Sequence, residues 1–78
     1  MKIIYIVTKN RKSVIKLEGS IKIFEEMKKY YIRTYDGEDW VSLGSYQSLN
    51  QARQILLDIC MALSNPNNEV EIYPMPLK

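Results

Sequence analysis

Short apolar segments separated by polar breaks make up most of this chain, and only one longer segment has helical periodicity. Residues 2–7 (KIIYIV) are rich in β-branched side chains and too short for a helix, so they predict a strand buried on both faces. The polar turn KNRKS follows, and residues 14–17 (VIKL) predict a second short strand. The N-terminal part therefore predicts two strands joined by a polar loop.

Residues 21–46 predict a three-stranded antiparallel meander. Asp36-Gly37 is a strong hairpin signal, because a type I′ turn needs positive φ at both central residues. A two-residue loop there places Arg33 directly opposite Trp40. Alternation then puts four side chains on the core face: Tyr30, Ile32, Val41 and Leu43.

The register of the preceding hairpin depends on its loop length. A four-residue loop at 26–29 pairs Ile23 with Ile32 and continues the apolar face. Shorter loops bring Glu25 or Lys22 to the buried side. Because burying an unpaired charge costs several kcal/mol, we expect the first register.

One amphipathic helix is predicted over about residues 49–64. Ser48 is its N-cap, and Gln51 completes a capping box. Asn65-Pro66 ends it, because the residue before a proline avoids the α region. The predicted apolar stripe consists of Leu49, Ala52, Ile55, Leu56, Ile59, Cys60 and Leu63.

The order of these elements defines the fold class. Residues 69–73 predict a final strand, after which Pro74 and Pro76 leave the sheet because prolines cannot donate to a ladder. We therefore expect residues 1–78 to form a single α+β domain. We expect an antiparallel sheet of about five to six short strands, with the helix packed on one face.

The two halves of the chain differ in charge. Residues 1–33 contain nine Lys/Arg and three Glu, a net charge of +6. Residues 34–78 contain two Lys/Arg and six Asp/Glu, a net charge of −4. This asymmetry either steers an acidic partner to the N-terminal half or reflects loops solvated by lysine.

Cysteine usage and hydropathy indicate the compartment. The single Cys60 cannot make an internal disulfide, which fits a reducing environment. The initial apolar run ends at Thr8, too early for a signal sequence, and no segment approaches the roughly 20 apolar residues that span a bilayer. We therefore expect a cytoplasmic protein without membrane contact.

The outer face of the predicted meander carries aromatic and cationic side chains. On the predicted register Arg33 and Trp40 form a cation–π pair. The candidate binding residues are Lys22, Phe24, Tyr31, Arg33, Tyr35 and Trp40.

Three interpretations of this face stay open at the level of sequence. The first strand or the last strand covers it and forms a second small core. Alternatively, it is a protein interface, with a second copy in a homodimer or with a foreign target. In the third interpretation it stacks nucleic-acid bases or a nucleotide, with Lys28 and Lys29 as additional basic residues.

The residue types argue against an enzyme. The chain has no histidine, so it lacks the commonest general base and metal ligand. Cys60 lies on the predicted apolar stripe, where a cysteine is usually an inert hydrophobe. Asp36, Glu38 and Asp39 cluster by the turn, but their spacing matches no calcium loop. We therefore expect no catalytic residue, no metal and no cofactor.

Residues 30–76 resemble a loose family of small phage, prophage and mobile-element proteins of Firmicutes bacteria. The shared pattern is a strand, an Asp-Gly turn, "LG-Y-S", a helix opened near the serine and a closing strand that ends in Met-Pro. The residues that carry it are Leu43, Gly44, Tyr46, Ser48, Ala52, Leu56, Ile59, Met75 and Pro76. The resemblance implies an accessory protein that binds a host target, for instance an inhibitor of a CRISPR or other immune complex, or that sequesters a nucleotide signal.

Overall fold

A computed structural model describes residues 2–65 and 69–77 and confirms the α+β class. One helix and six short strands form two three-stranded sheets. The elements are β1 (Ile3–Val7), β2 (Val14–Lys16), β3 (Ile21–Glu26), β4 (Lys29–Tyr35), β5 (Trp40–Tyr46), α1 (Leu49–Ser64) and β6 (Val70–Pro74).

The first sheet has the strand order β2-β1-β6. β1 is antiparallel to β2 but parallel to β6, with Ile3 beside Val70 and Val7 beside Pro74. The expectation of a purely antiparallel sheet was wrong for this pair. The chain reaches β6 through the helix rather than through a hairpin, so no tight turn dictates the strand direction.

Pro74 stays in this sheet, contrary to the prediction that it leaves. It is the last residue of β6, and the N–H of Met75 donates to the carbonyl of Val7 at 3.0 Å. β6 is an edge strand, where a missing N–H costs no bond on the open side. The chain therefore remains hydrogen-bonded as far as Met75, whose side chain is fully buried.

The second sheet has the order β3-β4-β5, and both of its pairings are antiparallel. Ile23 lies opposite Ile32, so the predicted register is confirmed. The predicted four-residue loop at 26–29 was wrong, because Glu26 still pairs with Lys29. The turn contains only Met27 and Lys28, both with positive φ, as a type I′ turn requires.

The loop after β4 is longer than predicted. Tyr35 pairs with Trp40, which leaves four residues in the loop instead of two. The Asp36 carboxylate accepts the N–H groups of Glu38 and Asp39, each at 2.9 Å. Because these bonds keep residues 38 and 39 in the turn, they cannot extend the ladder.

This longer loop shifts the register of β5. Arg33 lies opposite Ser42, so the predicted pairing of Arg33 with Trp40 was wrong. A β-bulge follows, after which Ile32 lies opposite Gly44. The bulge keeps Leu43 in the core, where it is fully buried with Ile32. The core face was therefore predicted correctly, with Tyr30 and Val41 half-buried at its margin.

Helix α1 begins at the predicted cap. The Ser48 hydroxyl accepts the N–H of Gln51 at 3.4 Å, and Ser48 itself is extended. The helix ends before Asn65, which is also extended. The predicted role of Pro66 in this ending lies outside the described residues.

The buried stripe of α1 is narrower than predicted. Ala52, Ile55 and Ile59 are buried, but Cys60 and Leu63 are exposed. Cys60 lies about 100° around the helix from Ile59, beyond the margin of the buried stripe. Its predicted position as a buried hydrophobe was therefore wrong.

Both sheets and the helix share one core. α1 packs against β1, β3, β4 and β5. The N–H of Lys9 donates to the carbonyl of Leu43 at 2.9 Å and connects the two sheets. The fully or nearly fully buried apolar residues are Ile4, Ile6, Ile32, Leu43, Tyr46, Ala52, Ile55, Ile59 and Met75.

β1 contributes only one face to this core. Ile4 and Ile6 are fully buried, whereas the alternate positions Ile3, Tyr5 and Val7 are half-buried. The prediction of burial on both faces was therefore wrong for the single chain, because α1 covers one side of the strand only.

Candidate interaction surface

The second sheet brings all six predicted binding residues to its outer side. Lys22 lies opposite Arg33, Phe24 opposite Tyr31, and Trp40 opposite Tyr35. The alternate positions of these strands face the helix, so the six side chains point away from the core. We call this set the aromatic face: Lys22, Phe24, Tyr31, Arg33, Tyr35 and Trp40.

Trp40 contacts two neighbouring rings on the aromatic face. The Phe24 ring lies 5.0 Å from the indole at an interplanar angle of 67°, and the Tyr35 ring lies 5.3 Å away at 52°. Such edge-on and tilted contacts are favourable aromatic geometries. Trp40 is still 37% exposed and Tyr35 38%, so the rings support one another while part of each meets solvent.

The cations of the aromatic face lie over rings, although not over the predicted ones. The Arg33 guanidinium is 4.8 Å from the Tyr31 centroid and 5.0 Å from the Phe24 centroid. The Lys22 ammonium takes the place beside Trp40, at 5.5 Å. The predicted Arg33–Trp40 pair does not form, because the longer loop moves Trp40 opposite Tyr35.

An acidic residue offsets the charge of Arg33. Glu26 lies on the same side of β3, and its carboxylate accepts from the Arg33 guanidinium at 2.8 Å. This ion pair and the two ring contacts hold the guanidinium in one position. The predicted loop at 26–29 included Glu26, so the sequence did not indicate this ion pair.

The described chain does not cover the aromatic face with a second core. β1 and β6 belong to the other sheet, and none of the six residues is part of the buried core. The described residues therefore do not support the first interpretation, in which the first or the last strand covers this face and forms a second small core.

The predicted basic residues Lys28 and Lys29 lie far from Trp40. Both are at the β3–β4 turn, whereas Trp40 pairs with Tyr35 at the opposite end of β4. The length of that strand separates the two ends by about 20 Å. The structure therefore does not join Lys28 and Lys29 to Trp40 in one compact site.

The β1–β2 loop, which the sequence predicted only as a polar turn, forms a second polar feature. The Thr8 hydroxyl donates to the Asn10 side-chain oxygen at 2.7 Å and accepts the N–H of Ser13 at 3.2 Å. The same Asn10 oxygen accepts the N–H of Lys12 at 2.9 Å, and Arg11 has a positive φ of 62°. The loop and β5 border an open cleft of about 520 Å³. The sequence signal for this ordered basic loop was the run KNRKS.

Tyr46 lies between this loop and the core. Its hydroxyl donates to the carbonyl of Pro76 at 2.7 Å, and the Lys9 ammonium lies 4.3 Å from its ring centroid. Burial, with a smaller contribution from the charge of Tyr73, raises the pKa of Tyr46 to about 12. The folded protein therefore favours the neutral phenol more strongly than the unfolded chain does.

We expect Tyr46→Phe to change the alkaline stability profile. Between pH 10 and 12 the unfolded chain loses the Tyr46 proton while the folded protein keeps it, so the free energy of unfolding falls as pH rises. The phenylalanine variant lacks this ionisation and loses stability less steeply. Urea unfolding at several pH values in this window measures the difference, and identical slopes for the two proteins would contradict the assignment.

The described residues contain neither a group of metal-ligating side chains nor a membrane-spanning helix. Across 2–65 and 69–77, no three His, Cys, Asp or Glu side chains are grouped so that they could hold a metal ion. The Asp36 carboxylate accepts hydrogen bonds from the N–H groups of Asp39 and Glu38, and these bonds lower the pKa of its carboxyl. The Asp36 side chain is therefore engaged in the turn. No helix in these ranges is long and apolar enough to cross a membrane.

Comparisons with known proteins add no assignment. No protein-family model, curated protein or solved structure matches this chain. The resemblance to phage and mobile-element proteins therefore stays a prediction.

Proposed function

We propose that this chain is a non-enzymatic binding protein that contacts another protein through its aromatic face. The observation that carries the proposal is the exposed pair Trp40 and Tyr35, with the Phe24 ring 5.0 Å from the indole of Trp40. Trp, Tyr and Arg are the residue types that contribute most to binding energy at protein interfaces.

The contacts within the face support a protein partner because they limit the entropy lost on binding. Trp40 has two ring neighbours, and Arg33 is held by Glu26 and by two rings. Side chains that are already fixed lose less conformational freedom when a partner covers them. Such an ordered aromatic surface is suited to insertion into a pocket of another protein.

The resemblance stated above supports the choice of partner class. Proteins of phages and mobile elements act inside a bacterial host, so we propose a host protein or protein complex as the target. Inhibition of an immune complex is one role that such binding performs.

Trp40→Ala tests this proposal directly. We expect the tagged wild type to recover a partner from host lysate and the variant to recover at least tenfold less, since loss of an interface tryptophan costs about 2 kcal/mol or more. Leu57→Ala is the matched control, because Leu57 is 56% exposed on the helix. Equal recovery by all three proteins, with matching circular dichroism spectra, would contradict the proposal.

Lys22 supports a second candidate function, the binding of single-stranded nucleic acid. Its exposed ammonium lies 5.5 Å from the indole centroid of Trp40, and aromatic rings beside cations are typical of single-strand binders. The charge of Arg33 is already offset by Glu26, which weakens its attraction for phosphate. Binding of an oligonucleotide whose affinity falls steeply with salt would favour this candidate over the first.

A further inference from the structure

The first sheet has an outward face that the proposed function does not use. This β1 face consists of Ile3, Tyr5 and Val7 of β1 and their register partners on β2 and β6. Tyr5 lies between Lys16 and Ile72. Residues in register share one side of a sheet, so these positions form one continuous surface opposite the core residues of β1.

The β1 face is apolar and exposed at its edges. Val14 is 61% exposed, Val70 56% and Ile72 66%. Lys16 is the one charged residue among these described positions, and Glu18 lies 3.5 Å from its ammonium. A contiguous apolar surface of this kind on a sheet marks a site of association.

We propose that the β1 face binds a second copy of this chain. A two-fold dimer needs a surface that is complementary to itself, and two apolar sheet faces fulfil this condition without opposing unpaired charges. A strongly charged partner would find few groups to pair with. Face-to-face packing would also bury the second side of β1, whose uniformly apolar sequence is typical of a strand covered on both faces.

The size of the face sets the strength of the dimer. A standard interface buries about 800 Å² per partner, which is about 15% of this chain's surface of 5482 Å². Two strands of five residues and one of three have a footprint of at most roughly 14 by 16 Å, to which surrounding residues add contact area. This footprint is well below that of a standard interface, so the dimer is expected to be weak, with a dissociation constant on the order of 100 µM.

This dimer is independent of the proposed function, because the aromatic face belongs to the other sheet. Trp40→Ala is therefore expected to leave dimerisation unchanged. A monomeric wild type that still recovers a partner would remove the dimer and keep the proposed function, so the two proposals fail separately.

Analytical ultracentrifugation over about 1 to 300 µM protein tests the proposal. We expect the wild type to change from monomer to dimer across this range, and Ile72→Lys and Val14→Lys to raise the dissociation constant at least tenfold. Leu57→Lys, with the same change at an exposed helix position, should behave as the wild type. If Ile72→Lys fails to fold, Ile72→Thr takes its place as the test. It keeps a β-branched residue in the strand and should also weaken the dimer.

Two outcomes would overturn the inference. One is a wild type that remains monomeric at every concentration. The other is a wild-type dimer whose dissociation constant is unchanged by substitutions at both Ile72 and Val14, since the second copy would then bind elsewhere. Circular dichroism spectra that match the wild type confirm that a monomeric variant is still folded.

Discussion

Ile32→Ala is expected to lower the free energy of unfolding by about 2–5 kcal/mol. Ile32 is fully buried in the central strand of the second sheet, opposite Ile23, and belongs to the core that both sheets share with the helix. Truncation removes the transfer energy of the lost methyl groups and leaves a cavity. Small domains have free energies of unfolding at the low end of about 5–15 kcal/mol, so the variant should lose a large fraction of its stability.

Ile72→Ala is the matched control for this prediction. The same atoms are removed, but Ile72 is 66% exposed, so the loss should stay within about 1 kcal/mol. Urea unfolding followed by circular dichroism gives both values, measured at a protein concentration low enough to exclude dimers. Similar losses for the two variants would contradict the position of the core.

Gly19→Ala is expected to destabilise the protein by about 2–3 kcal/mol, although Gly19 is exposed. A Cβ at this position would overlap the backbone carbonyl oxygen of Tyr35. That carbonyl cannot move freely, because the N–H of Tyr35 donates to Ser20 at 2.9 Å and the Thr34 hydroxyl donates to the same Ser20 oxygen at 3.0 Å. The substitution therefore forces apart the end of the β3–β4 pairing.

Ser20→Ala is the appropriate comparison, since only the backbone oxygen of Ser20 takes part in those two bonds. We expect its thermal midpoint to match the wild type, with that of Gly19→Ala clearly lower. A Gly19→Ala variant as stable as the wild type would contradict the close contact between Gly19 and the carbonyl of Tyr35.

Local sequence signals predicted the parts of the fold that local chemistry determines. Ser48 indicated the helix start because its hydroxyl completes the N-cap, which the structure confirms. The cost of burying Glu25 selected the register that places Ile23 opposite Ile32. Both features depend only on residues close in sequence and on the alternation of side chains along a strand.

The errors arose where side chains or distant segments determine the backbone. The length of the loop after β4 depends on the two N–H groups that Asp36 accepts, a choice that the Asp-Gly pair does not dictate. The parallel pairing of β1 with β6 joins segments more than 60 residues apart, without a turn between them. The apolar pattern of α1 did not show where the buried stripe ends, so the predicted stripe included Cys60, which is exposed.

The membership of the aromatic face was predictable, but its contacts were not. Alternation alone places Lys22, Arg33 and Trp40 on one side of the sheet, and this holds for either length of the loop. Which cation lies over which ring depends on the register, and the shift of β5 exchanged Arg33 for Lys22 beside Trp40. The apolar β1 face was missed because its β6 partners could not be assigned from local patterns.

Acrylamide quenching of tryptophan fluorescence tests the central claim, that Trp40 lies on an accessible outer face. Trp40 is the chain's sole tryptophan, so the signal reports this position alone. At 37% exposure, the native protein should be quenched substantially, though less than the protein unfolded in urea. Negligible quenching before urea is added would place the indole in the interior and contradict the account.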